Sequence, residues 1–273
     1  MSCYPLADSA LARRIERTAV TELCAWIDDA RVTGVYPGAK SFRAAGGAAV
    51  WFSQDSILNG SFGLGMDRVV EQEEVAAMIA FFAERGMSAK TDACPHADPS
   101  LLRWLAEAGF VVTDFETVLY QPLDAADPAD LAEGVEVRIA ATEAERAVWA
   151  DLEARGFTED RATAADHELS RAISLRTDAL PFIGYLDGEP VGTGMLTFAD
   201  GIAFFNGDST LPVARNRGVQ SSILAERVRY ASAAGCDLAV IEAAPGGTSQ
   251  RNQLRAGFRV AYTRVSLELP ARV

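Results

Sequence analysis

An α/β chain built from two similar halves is what the sequence predicts, and three observations predict it. Strand-like and helix-like apolar patterns alternate along most of the 273 residues. One spacing, about 150 residues, relates the halves. Ser100–Phe110 followed by Val111–Pro122 parallels Ser249–Phe258 followed by Arg259–Pro270. Val75–Gly86 parallels Ile223–Gly235, and Ala45–Ile57 parallels the strand pattern around Ile202–Thr210. Finally, Leu123–Gly134, where Pro, Gly and acids cluster between two apolar strands, reads as a linker. It places one domain at residues 1–130 and the other at 131–273. With 49% hydrophobic residues, the chain is large enough for two cores.

The second half reads clearly, element by element. Val135–Ile139 alternates as a strand, and Glu143–Arg155 carries a helical pattern. Pro181–Leu186 and Val191–Phe198 flank Asp187-Gly188, a strong two-residue hairpin signal. Ile202–Thr210 is rich in aromatic and β-branched residues, and Val219–Ala234 places Ile223, Leu224, Val228 and Ala231 at helical spacing. Leu238–Ile241 is a further strand. Thr248 or Ser249 can cap a short helix that Gly257 ends, before the strand Arg259–Leu269.

The most informative stretch is Pro212–Leu224, an Arg-x-Arg-Gly turn between a strand and a helix. A glycine-containing loop that feeds a helix leaves unpaired N–H groups pointing one way, and the helix dipole favours an anion there. The turn lacks the Gly-Lys-Ser/Thr ending of a P-loop and is not a dinucleotide G-x-G-x-x-G turn. It resembles motif A of the GNAT acetyltransferase superfamily, V-x-P-x-x-R-G-x-G-x-G/A, read here as Thr210-Leu-Pro212-Val-Ala-Arg215-Asn-Arg217-Gly218-Val-Gln220. Asn216 and Gln220 stand where the pattern has glycine or alanine. The segment Pro245–Phe258 and its following strand resemble motif B, with Ser249 and Arg251 at matching places, Gly246 at the Asn position, and Gln253 where a thiolate-protonating Tyr often stands.

The resemblance covers about Val135–Leu269, roughly half the chain. With the duplication it implies two tandem GNAT-like domains, each a mixed, mostly antiparallel twisted sheet flanked by helices. It implies acetyl-CoA as cosubstrate, its pyrophosphate held by backbone amides. The residues expected around it are Thr210, Leu211, Pro212, Arg215, Asn216, Arg217, Gly218, Val219, Gln220, Ser221 and Ser222, with Ser249 and Asn252 from the later helix. It also implies direct attack of a neutral amine on the thioester. A free N–H near Leu211 or Thr210 would then polarise the carbonyl. Asp208 is the first candidate base, because alternation puts it on the face of Thr210, and Glu242 is the second. Tyr262 is the candidate acid. In the first half, the repeat register sets Val69 at the place of Gly218 and Glu71 at that of Gln220. Glu71, Glu73 and Glu74 would repel a pyrophosphate there. The first copy is expected to be degenerate, structural or substrate-shaping.

Composition bounds the function further. A net charge of −13 argues against nucleic acid as a partner. The charge is uneven: Asp124–Glu168 holds thirteen acids and four arginines, while Leu211–Arg259 holds seven arginines and only Glu226, Asp237 and Glu242 as acids. The basic segment is the one expected to meet phosphates. The acidic one fits either attraction of an amine or solvated helix faces. No apolar run reaches membrane-span length and no signal core opens the chain, so a cytoplasmic protein with no membrane partner is expected. The dispersed Cys3, Cys24, Cys94 and Cys236 and the two histidines, His96 and His167, form no metal-ligand spacing, and the cysteines are expected to be reduced. Arg far outnumbers Lys, which occurs only at Lys40 and Lys90, as in GC-rich bacterial coding. Three function classes stay open: an N-acetyltransferase acting on a small amine, a noncatalytic acyl-CoA binder or sensor, and a structural interaction module. A homodimer is compatible with each.

Overall fold

The computed structural model describes residues 4–270 except 55 and 125, so Cys3 lies outside the described residues. Two compact units emerge. The N-terminal unit comprises Pro5–Leu119, Ala243–Gln250 and the C-terminal strand from Val260; the C-terminal unit comprises Tyr120–Glu242 and Arg251–Arg259, with Tyr4.

The N-terminal unit opens with α1 (Ser9–Val32), capped by Asp8, whose carboxylate accepts from the amides of Ala10 and Leu11. This long helix escapes the apolar-periodicity reading because its buried side includes Glu16 and Thr18 among Leu11, Ile15, Val20 and Ile27. β1 (Lys40–Ala44), β2 (Gly47–Trp51), β3 (Gly60–Phe62), α2 (Gln72–Ala83), β4 (Lys90–Ala93), α3 (Pro99–Ala108) and β5 (Val111–Pro122) follow. The unit also holds β11 (Arg259–Glu268), in the order β1-β2-β3-β4-β11-β5. β1 with β2, β2 with β3 and β4 with β11 pair antiparallel, and β3 with β4 parallel. Val75, Met78 and Phe82 of α2 and Leu101 and Leu105 of α3 pack into one core with Leu64 and Val70.

The strand that feeds α2 is therefore β3, not the Ala45–Ile57 stretch that the repeat pattern indicates. With the sequence Gly60-Ser61-Phe62, it carries almost no hydrophobic signal. A second correction concerns register. Glu71 is the N-cap of α2, so it stands where Gly218 stands in the other repeat, two residues from the position read from the sequence. The start of α2 carries a capping box between Glu71 and Glu74. Glu74 accepts from the amides of Glu71 and Ala45 and pairs with Arg68 at 2.7 Å. Hydrogen bonding to Arg68, helped by those two amides, holds the Glu74 carboxyl down at about 2. The resulting stability is present above the unfolded carboxylate range near pH 4.3 and fades as pH falls toward 2. We expect Glu74→Gln to cost about 1 kcal/mol at neutral pH and the difference from wild type to vanish near pH 2, read by denaturant titration across that range.

The C-terminal unit contains β6 (Val135–Ile139), α4 (Glu143–Phe157), α5 (Ala164–Ser174), β7 (Ala179–Leu186), β8 (Glu189–Ala199), β9 (Ile202–Thr210), α6 (Val219–Ala233), β10 (Leu238–Ala243) and most of α7 (Thr248–Arg255). Its strands lie in the order β10-β9-β8-β7-β6, antiparallel except for β9 with β10. Thr142 and Thr163 cap α4 and α5 through capping boxes with Glu145 and Asp166. On one sheet face Trp149 is fully buried and donates its indole N–H to Gly194 O at 3.0 Å.

On the other face glycines set the distance between α6 and the sheet. A Cβ on Gly184, Gly192 or Gly194 would lie 2.7–2.8 Å from side-chain atoms of Val219 or Ile223, so only bare backbone lets the helix come this close. That close seating places the start of α6 beside the end of β9.

Candidate active site

Two features of β9 create an opening. Its parallel ladder with β10 runs from Ile202–Leu238 to Phe205–Ile241 and stops there. Just beyond, the register with β8 shifts between Thr193 and Met195: Ser209 opposes Thr193, but Asn206 opposes Met195, so β9 carries one extra residue. Gly207 takes φ +63° in this bulge, and its carbonyl accepts from Thr193 Oγ1. Bulges redirect the strand that carries them. Asn206–Thr210 is thus a redirected segment without a β10 ladder.

The turn after β9 leads into α6. Leu211 is buried, Pro212–Ala214 forms one 3-10 turn, Asn216 adopts φ +62° and Gly218 φ +78°. Asparagine tolerates the left-handed region better than other side chains, which is why it can stand where the sequence pattern has glycine. The first helical bond of α6 is Ser222 N–H to Gly218 O. The amides of Val219, Gln220 and Ser221 have no partner among the described residues. They form an outward-facing donor set at the positive end of a helix dipole, suited to an anion.

The side chains around this loop are spoken for in an orderly way. Gln220 turns toward β9, accepting from Thr210 Oγ1 at 3.0 Å and donating to Asp208, so it leaves the amides open and confirms that Asp208 and Thr210 share a face. Arg215 donates to Thr210 O at 3.2 Å and pairs with Glu159 at 2.7 Å, while Arg217 lies 3.7 Å from Asp187. Ser221 Oγ donates to Gly218 O, and Ser222 Oγ, buried, accepts from Ala132 N–H. A shallow depression of about 450 Å³ next to the loop is lined by Ala132, Glu133, Gly134, Asp187, Asn216 and Arg217.

Comparison with known proteins fits this geometry. No family model and no curated protein matches the sequence. Solved structures do. A GCN5-related N-acetyltransferase from Kribbella flavida superposes with TM-score 0.69 over 92% of this chain and 96% of its own, at 18% identity. A tandem GNAT protein from the clavulanic acid biosynthesis pathway gives 0.61 over 98% of both chains, at 15% identity. A GCN5-related N-acetyltransferase from Sphaerobacter thermophilus gives 0.58 over 98% and 95%, at 18% identity. The chain has the GNAT acetyltransferase fold.

Within this GNAT fold, the C-terminal unit contains Asp208, Glu242, the whole stretch Thr210–Ser222, and Asn252 on α7. Glu242 lies on β10 one residue past the last ladder pair, half-buried. Asp208 is engaged: both carboxylate oxygens bond the guanidinium of Arg227, and Gln220 donates to one of them. Burial pushes its carboxyl above the ordinary value, opposed by the charge and hydrogen bonds of Arg227 and by Gln220. One half of an expectation is corrected, since the Leu211 amide donates to Val191 O at 2.9 Å and is not free to polarise a thioester, which leaves Thr210 as the alternative.

Tyr262 and Ser249 count with the N-terminal unit. There Tyr262 is 5% exposed and donates to Glu16 at 2.8 Å, and Arg264 Nε donates to the same oxygen at 2.8 Å. Burial first, and then the Glu16 charge, push the phenol far above its ordinary value, so it stays protonated. Arg227 and Glu159 are partners of the predicted site residues that sequence motifs do not mark. Arg227 had a legible signal, because Ile223, Arg227 and Ala231 repeat at four-residue spacing on the buried face of α6. Glu159 had none, since its pairing with Arg215 spans 56 residues.

Proposed function

We propose that the protein is an acyl-CoA-dependent N-acetyltransferase that moves an acetyl group from acetyl-CoA to the amine of a small acceptor by direct attack. The observation that carries this reading is the loop before α6. Three unpaired amides follow two left-handed residues, at the point where β9 leaves β10, and the Gln220 side chain is turned away from them toward Thr210. The amides of Val219–Ser221 bind the pyrophosphate, with Arg217 supplying charge. Acetyl-CoA supplies the activated acyl group. The redirected Asn206–Thr210 backbone orients the arm that carries the thioester, and Glu242, directly or through water, takes the proton from the acceptor ammonium. The acidic segment before β9 draws the cationic acceptor toward the site.

The N-terminal unit holds no second cosubstrate in this reading, because Glu71 occupies the glycine position and the carboxylates of Glu71 and Glu74, closing a capping box, put negative charge where a phosphate would sit. A noncatalytic acyl-CoA binder is the second reading. It is favoured by the engagement of Asp208 with Arg227 and of Tyr262 with Glu16. Calorimetric titration with acetyl-CoA tests both. We expect one site per chain; turnover in a screen of small amines then separates enzyme from binder, and absence of binding overturns both readings.

A further inference from the structure

Arg227 is completely buried, and the fold makes room for it at specific cost. A Cβ on Gly194 would sit 2.8 Å from its Cζ and 2.9 Å from its Nε, so this glycine exists opposite the guanidinium. Nη1 donates to Met195 O at 3.0 Å and to Asn206 O at 3.2 Å, carbonyls of the register pair that borders the bulge. Both terminal nitrogens bond Asp208, on the far side of the bulge, and the plane lies 4.8 Å from the Phe205 ring centroid. One side chain thus grips both strands before the bulge and one strand after it. Asp208 passes the grip to Gln220, in the first turn of α6.

We infer that Arg227 is a positioning residue, which, through Met195, Asn206 and Asp208, sets the direction of the bulged segment Asn206–Thr210 and thereby its fit to the acyl-bearing arm of the cosubstrate. This rests on the acetyl-CoA reading above. Arg227 touches none of the phosphate-binding amides, and Gln220, which Asp208 links to it, is held independently by Thr210, so its effect falls chiefly on the arm. A buried arginine retained only for stability would show no such selectivity, because apolar replacement of a buried ion pair is often neutral.

The test uses two probes in parallel calorimetric titrations of the full chain: acetyl-CoA, and 3′-phosphoadenosine 5′-diphosphate, which lacks the pantetheine arm and thioester. For Arg227→Lys, acetyl-CoA affinity is expected to fall tenfold or more while nucleotide affinity stays within threefold of wild type. Amide hydrogen exchange is expected to quicken at Asn206–Thr210 and to stay unchanged in α6. If Arg227→Lys fails to fold, the paired replacement Arg227→Met with Asp208→Asn, which leaves no buried charge alone, carries the same expectations. Parallel weakening of both probes, or no change in either, overturns the positioning role. Wild-type protein that binds neither probe defeats the acetyl-CoA reading itself, while unchanged exchange in β9 of the variant separately defeats the grip of Arg227 on the strand.

Discussion

On the proposed acetyl-CoA reading, Gly218→Glu is expected to all but abolish cosubstrate binding and to destabilise the C-terminal unit, the largest functional effect of any single change. Gly218 sits at φ +78°, where an L side chain is strained by about 1–3 kcal/mol. Its missing Cβ would lie 2.4 Å from the Cβ of Ala132. Ala132 cannot retreat cheaply, since its N–H is held by Ser222 Oγ and Arg229 holds the carbonyls of Pro128 and Ala129. The new carboxylate would also stand beside the unpaired amides of α6 and compete there with a phosphate. Affinity is expected to drop at least 100-fold, about 2.7 kcal/mol. Gly218→Ala carries the backbone and packing costs without the charge, so it should lower Tm similarly and affinity less. Acetyl-CoA affinity retained in Gly218→Glu would show that the loop is not the site.

Glu16→Gln is expected to give the largest loss of stability, about 3 kcal/mol, with acetyl-CoA affinity unchanged. Glu16 is 1% exposed and holds both Tyr262 and Arg264, itself 4% exposed. Removing the charge leaves a buried guanidinium whose other carboxylate, Glu116, is 3.9 Å away and partly solvated. Tyr262→Phe removes only one hydrogen bond and should cost about 1–2 kcal/mol. Denaturant unfolding gives both values. The pair of variants also decides the chemistry of Tyr262. If Tyr262→Phe leaves turnover intact with any accepted amine, the phenol is a structural donor to Glu16; a selective loss of kcat would restore it as an acid.

Much of this arrangement is readable before folding because it is local. The Asp187-Gly188 turn, the stop at Gly257 and the loop around Gly218 each depend on backbone preferences of a few adjacent residues. Those preferences survive in the sequence whatever the rest of the chain does. β9 runs over exactly the span its aromatic and β-branched pattern indicates, Ile202–Thr210. β3 is illegible in the sequence for the opposite reason, since three residues with one aromatic become a strand only when β2 and β4 flank them.

Composition and sequence pattern alone point to a two-repeat α/β chain, an anion-ready loop in its second half and an acidic replacement of that loop in its first. Tertiary structure decided everything that depends on distant partners. It counts the last strand with the N-terminal unit and commits Tyr262 to Glu16, 246 residues away. It turns Gln220 from an apparent obstruction into a bridge between Thr210 and Asp208, and seats Arg227 under a bulge that only the pairing of β8 and β9 reveals. The physical reason is one of range. Turn and cap energies are set within a few residues, whereas burial of charge and strand register depend on which surfaces the whole chain brings together.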